Sequence, residues 1–170
     1  MPDAGIDVII PAYQAERWLG PAIESVLAQR DAPLREILVV DNGSSDATAA
    51  VAARYPAPVR CLTTGRTNAA HARNTAIAAS RAEVVAWLDA DDLMPPGSLA
   101  SRWQALMAVG APDVAVAGLV LPFRDSQSLP ADCQDPALRP WTQRGLLGGT
   151  MLLPRSLLER RRHRPRASPP

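Results

Sequence analysis

The chain is poor in the residues that most often mark a special chemistry. Among its 170 residues are two cysteines and two histidines. Cys61 and Cys133 stand too far apart for a disulfide framework or a thiolate metal site, and are expected to be ordinary buried or half-buried thiols. His71 and His163 are the only imidazoles, and no serine occupies a G-x-S-x-G elbow, so triad chemistry has no support. There is no G-x-x-x-x-G-K-[ST] and no G-x-G-x-x-G after a strand, which weakens phosphate-loop and dinucleotide-dependent oxidoreductase readings. No apolar run approaches the roughly 20 residues that span a bilayer. The opening "MPDAG" carries no signal-peptide pattern. An excess of charge of one sign is also missing, since the formal net charge is +1, and the chain as a whole has no nucleic-acid signature. A soluble cytoplasmic protein is the expectation.

What is present is apolar and ordered. Hydrophobic residues make up 47%, ample for a core, so one domain or part of a larger one is expected. Short β-branched runs alternate with helical periodicity. "DVIIP" (7–11), "EILVVD" (36–41), "VRCLTT" (59–64) and Val84 to Leu88 read as strands. Between them, 16–29, a short stretch ending near Arg54, and 69–81 read as helices. A helix after Pro96 and an apolar run over 113–122 follow. The alternation predicts a mostly parallel sheet flanked by helices on both faces, with ligands at the carboxyl ends of the strands. Asp41 and Asn42, after the second strand, and Asp89, after the fourth, should then share one edge. Residues 122–141 read as an irregular excursion, and "GLLGGTMLLPRSLLER" returns to strand then helix.

The fourth strand ends in "DADD", where Asp89, Asp91 and Asp92 bring like charges together. Asp89 and Asp91 are two apart, so in an extended segment they would point the same way. Such carboxylates suit a hard divalent cation, Mg²⁺ or Mn²⁺, shared with diphosphate oxygens. The plainer alternative is that they cap the next helix or form a solvated turn. Arg73, near the start of the alanine-rich helix, could reach a phosphate bidentately or remain a solvated helix arginine. His71 in the same helix is expected to have a packing or polar role.

Four blocks in order, "VIIPAYQAERWLGPAIESVLAQ", "EILVVDNGSSDAT", "HARNTAIAASRAEVVAWLDADD" and a following P-x-x-L, resemble the family 2 glycosyltransferases of the GT-A fold. The resemblance covers about 6–106 and extends loosely to "GGTMLLPRSLLE". It implies an α/β, Rossmann-like domain over 1–159 that moves a sugar from a nucleotide-diphosphate sugar to an unidentified acceptor. It also implies Mn²⁺ or Mg²⁺ and inversion of the anomeric centre. By position, Ala12 and Tyr13 would border the nucleotide base. Asp41 and Asn42 would contact base and ribose, and Arg73 would lie near the diphosphate. Asp89 would face the ribose or metal-bound water, Asp91 the metal directly, and Asp92 would support both from the turn.

The sequence departs from the family pattern at several points. Asn42 replaces the usual second carboxylate, and its amide oxygen is expected to accept from a base N–H. Asn68, Ala76 and Ala82 stand where glycine is common, at a cost of about 1 kcal/mol wherever positive φ is required. The general base usually lies beyond "RSLLE"; Asp113, Asp125, Asp132, Asp135 and Glu159 match no such motif, so the catalytic base is unassigned. From Arg160 to the end the chain is basic and proline-rich, expected to be a disordered tail and to reflect a truncation or frameshift. Self-association through uncovered apolar surface is expected. The competing reading is a non-catalytic remnant that binds nucleotide sugar or a partner without turnover. The location is expected to be cytoplasmic, with a peripheral position at the inner membrane face left open.

Overall fold

The computed structural model of the chain describes residues 3–65, 69–110, 115–117, 119–120, 143–144 and 151–162. In chain order the elements are β1 (Asp3–Ala12), α1 (Leu19–Leu27), β2 (Leu34–Asp41), α2 (Thr48–Ala52), β3 (Val59–Thr63), α3 (Ala69–Ala79), β4 (Ala82–Trp87) and α4 (Ser98–Val109). Then come β5 (Val116–Ala117), β6 (Leu119–Val120), β7 (Gln143–Arg144), β8 (Met151–Pro154) and α5 (Arg155–Arg162). Six strands form one sheet in the order β3-β2-β1-β4-β8-β5, and β6 pairs with β7 separately. β1, β2, β3 and β4 run parallel, while β8 is antiparallel to β4 and β5. The mostly parallel α/β expectation is therefore met.

Strand alternation explains the two cores. Ile6, Val8 and Ile10 of β1, Ile37 and Val39 of β2, and Val84 and Ala86 of β4 join α1 and α4 in one buried cluster. The intervening Ile9, Leu38, Val40, Val85 and Trp87 pack with Ala72, Ala76 and Ile77 of α3 in the other. A period of two in a strand buried on both sides produces this split, and each fully buried aliphatic contributes about 1.5–3 kcal/mol. In α1, Leu19, Ala22, Ile23 and Val26 are buried. Pro21 is its third residue, where the lost N–H would have had no intrahelical partner.

One expectation needs correction and one is resolved. α5 continues to Arg162, so the expected tail boundary after residue 159 falls inside a helix. Arginine is a good helix former, and cations at a helix C-terminus complement its dipole, which favours that extension; 163–170 lie outside the described residues. Among the described residues the non-glycine positions with positive φ are Gln14 and Asp31, so Ala76 and Ala82 carry none of the feared strain. Asn68, Cys133, the expected loop at 122–141, and Asp113, Asp125, Asp132 and Asp135 lie outside the described residues. Among the described residues, no helix is long and apolar enough to cross a membrane.

The parallel strands deliver their carboxyl ends to one edge. β2 and β3 lie to one side of β1, and the chain then crosses to place β4 on the other. That reversal of winding direction opens a crevice above β1, and the loops after β1, β2 and β4 surround it.

Candidate donor-binding site

The crevice holds a cavity of about 370 Å³ walled by Pro11, Ala12, Tyr13, Gln14, Ala15, Trp18, Asn42, Arg73, Asp89, Ala90 and Asp91. Of the residues expected at the site, Ala12, Tyr13, Asn42, Arg73, Asp89 and Asp91 are thus brought together. Asp41 and Asp92 are not in that wall.

The acidic cluster is a turn, not an extended segment. β4 ends at Trp87, and the Asp92 N–H donates to the Asp89 carbonyl at 3.0 Å, closing residues 89–92. The expectation that Asp89 and Asp91 align by strand alternation is therefore wrong in its geometry. The turn nevertheless leaves both against the cavity. Arg73, in the first turns of α3, donates from Nη2 to Asp89 Oδ1 at 3.0 Å, and its guanidinium sits 5.9 Å from the Trp87 ring centroid. Arg73 therefore lines the cavity and is paired with Asp89, and is not a free solvated arginine. Both partners remain partly open to solvent, 34% and 44% exposed, so the pair itself is worth at most about 1 kcal/mol to the fold. Partial burial, then the charges of Asp91 and Asp89, push the Asp92 carboxyl above its ordinary value. Asp92 is exposed by surface area, so the like-charge repulsion is the more durable cause.

A divalent cation fits the chemistry of this donor set, which presents only carboxylate oxygens, but the protein offers few of them. Among the described residues no three carboxylate, imidazole or thiol groups converge to hold a metal by themselves. The set suits a cation that takes one or two carboxylates and completes its shell with water and phosphate oxygens.

At the end of β2, outside the wall, Asp41 is buried, and its Oδ1 accepts from the Ser44 N–H at 3.1 Å. Asn42 is buried too, its N–H donating to the Ala12 carbonyl at 2.9 Å. Its Oδ1 accepts from the Thr64 hydroxyl at 3.0 Å, so the oxygen expected to meet a base N–H is already engaged.

The loop after β1 is fastened to the loop after β2 by a reciprocal clamp. Gln14 Oε1 accepts from the Ser45 N–H at 2.7 Å and the Asp46 N–H at 3.3 Å, and the Gln14 N–H donates to Ser44 Oγ at 3.0 Å. Glu16 Oε2 accepts from the Ala47 N–H at 2.9 Å, while the Glu16 N–H donates to Asp46 Oδ2 at 3.1 Å. Ala15 completes it, its N–H donating to Thr48 Oγ1 at 2.8 Å. These bonds satisfy orphan donors at the start of α2, which has no side-chain cap at Ala47 itself. The Thr48 hydroxyl bonded to Asp46 holds that carboxyl below its ordinary value.

Sequence reasoning missed Gln14 and Trp18. Helical spacing put Trp18 among the apolar residues of α1, yet it is half exposed (47%), stands at the N-cap, and walls the cavity. Arg17 lies over its ring, 4.6 Å from the centroid. An aromatic just before the first buried helical position was the available signal.

Comparison with known proteins supplies the family. The chain is 37% identical over 126 residues to the succinoglycan biosynthesis protein ExoO of Rhizobium meliloti, covering 73% of this chain and 36% of that one. It is 37% identical over 95 residues to the UDP-Glc:alpha-D-GlcNAc-diphosphoundecaprenol beta-1,3-glucosyltransferase WfgD of Escherichia coli, covering 55% and 37%. The chain thus spans about a third of the length of these curated relatives. Among solved structures, the mannosyltransferase PcManGT of Pyrobaculum calidifontis, captured with GDP-Man and Mn²⁺, superposes with a TM-score of 0.68 at 27% identity, covering 94% of this chain and 48% of that one. The Glycosyl transferase family 2 model matches residues 7–154, almost the whole described sheet and both walls of the cavity. With four parallel strands converging on one acidic turn, and that match running through them, the chain belongs to glycosyl transferase family 2.

Proposed function

We propose that this chain forms the donor half of a glycosyltransferase, binding a nucleoside-diphosphate sugar for transfer to an acceptor hydroxyl. The observation that carries the reading is one cavity bounded by Tyr13 and Asn42 on one side and by Arg73, Asp89 and Asp91 on the other. Such a wall offers an aromatic ring and an amide to a base, and paired charges of both signs to a metal–diphosphate. The relative WfgD, named for a UDP-glucose donor, and the mannosyltransferase with GDP-Man and Mn²⁺ support the same class of donor.

In this reading Asp91 holds a divalent cation directly, with Asp89 beside it and Asp92 supporting from the turn. The bound cation would supply a Lewis acid for the departing diphosphate. Arg73, released from part of its pairing with Asp89, donates N–H groups to a diphosphate oxygen as negative charge grows there. Tyr13 and Ala12 border the base, and Asp41 acts through Ser44 to shape the loop that carries Asn42. Inversion at the anomeric carbon, by attack of an acceptor hydroxyl opposite the leaving diphosphate, is the expected stereochemistry; no described carboxylate is assigned as its base.

Calorimetric titration of the purified chain with UDP, GDP, ADP and CDP, with and without Mn²⁺, tests the reading. We expect Mn²⁺-dependent binding of at least one nucleotide, and its loss in Asp91→Ala. A folded chain that binds none of the four would overturn it.

A further inference from the structure

We infer that Asn42 reads the nucleobase as a hydrogen-bond donor, so that the base must present an acceptor, a carbonyl oxygen or an unprotonated ring nitrogen, to this wall. The inference rests on the donor-site reading above and adds the polarity of its base contact.

Asn42 is held from two sides at the end of β2. Its N–H is tied to the Ala12 carbonyl, and its Oδ1 accepts from the Thr64 hydroxyl at 3.0 Å. Thr64 is itself buried, its N–H donating to the Asp41 carbonyl at 2.8 Å. With 4% of its surface exposed, Asn42 has almost no freedom to turn. No fully buried side-chain nitrogen or oxygen among the described residues lacks a partner. Among the described residues the amide nitrogen has no hydrogen-bond partner, and Asn42 lines the cavity, so Nδ2 is the atom assigned to face a ligand there. The group turned toward a ligand is therefore an N–H pair.

Asparagine and aspartate share one shape and present opposite polarity: an ionised carboxylate only accepts, whereas this amide nitrogen only donates. A base N–H brought against Nδ2 would set donor against donor in a nearly desolvated position, where an unpaired donor is costly. A carbonyl or ring nitrogen there completes the bond. Sites that read a polar edge in this way discriminate more strongly than apolar pockets do.

The test is Asn42→Asp, which keeps the shape and can still accept from Thr64. Wild type and variant are titrated in the presence of Mn²⁺ with whichever of UDP, GDP, ADP and CDP the wild type binds most tightly. We expect at least tenfold weaker binding in the variant, because a carboxylate would face the base acceptor. A loss smaller than tenfold, or tighter binding, overturns the inference. Retained binding of Mn²⁺-pyrophosphate shows that the variant's diphosphate end is folded. Should that be lost, wild type decides the matter with UDP and N3-methyl-UDP. Methylation removes the one N–H on the uracil edge, so a loss under tenfold supports a donor at Asn42, and a larger loss overturns it. A wild type that binds no nucleotide would instead fail the donor-site reading, which keeps the two failures distinct.

Discussion

Gln14 offers a perturbation in which stability and binding separate. Its backbone has φ +50°, a conformation that costs a non-glycine residue roughly 1–2 kcal/mol, while its side chain accepts from two backbone N–H groups of the facing loop. Gln14→Ala keeps the strained backbone and loses the side-chain part of the clamp, while the bonds through the Gln14 N–H, Ala15 and Glu16 remain. One good hydrogen bond and two long ones, from the Ser45 hydroxyl and the Asp46 N–H, are removed at an exposed position where water replaces them in part, a net loss of about 1 kcal/mol. For a domain of this size that lowers Tm by about 2–4 °C. Gln14→Gly loses the same clamp but relieves the strain, regaining about 1 kcal/mol, so its Tm should match wild type within a degree or two. Both variants loosen the tie between the loop that carries Tyr13 and the loop that carries Asn42, and both should weaken Mn²⁺–nucleotide binding by roughly three- to tenfold through the lost preorganisation. Differential scanning calorimetry and titration calorimetry on the same preparations provide both readouts. A glycine variant as destabilised as the alanine variant would refute the strain argument. A glycine variant that binds nucleotide like wild type would refute the claim that the clamp positions the site.

Other outcomes follow from the same geometry. Arg73→Ala should leave unfolding stability within about 1 kcal/mol of wild type, since the pair with Asp89 is partly exposed, yet weaken Mn²⁺-dependent nucleotide binding by roughly tenfold or more, measured by titration. Asp7 is fully buried beside Arg35 at 3.0 Å and takes the Ser80 hydroxyl at 2.6 Å; Asp7→Ala should cost about 3–5 kcal/mol in urea denaturation by leaving buried donors unpaired. Asp46 has its folded value below its unfolded one, so its contribution is fully present above the ordinary carboxylate range and is lost as pH falls through the lowered value. Asp46→Asn should therefore flatten the acid limb of a stability–pH curve below about pH 4 and leave its shape near pH 7 unchanged.

The sheet was legible because β-branched runs such as 6–10 and 37–40 are buried on both sides, and burial of that kind writes itself into composition. Parallel order followed from the alternation of strand and helix. The gathering of Asn42 and Asp89 at one cavity was legible because both follow strand ends. What escaped notice depends on backbone conformation inside the loops. Periodicity treats Asp89 and Asp91 as neighbours on one face, but the chain turns at Ala90. Nothing in the letter Q announces a left-handed backbone, because that conformation at Gln14 is imposed by bonds to residues some thirty positions away. Likewise Thr64, which settles the orientation of the Asn42 amide, is 22 residues distant and reads in isolation as the end of a strand. The extension of α5 into an arginine run was hidden because charge clustering and helix propensity point in opposite directions there.

The alanine face of α3 governs more than packing. Ala72 and Ala76 have no exposed surface, and with side chains this small the helix axis lies close to the sheet. Arg73 is carried on that helix, so the depth at which α3 sits works as a gauge for how far the guanidinium reaches over Asp89. A larger side chain at Ala76 would meet a close-packed interior and lift the helix instead of being absorbed. The charge at the diphosphate end of the cavity would then retreat with no change to any residue in its wall. Substitutions that look like changes to a remote core would be felt first as altered reach across the donor site.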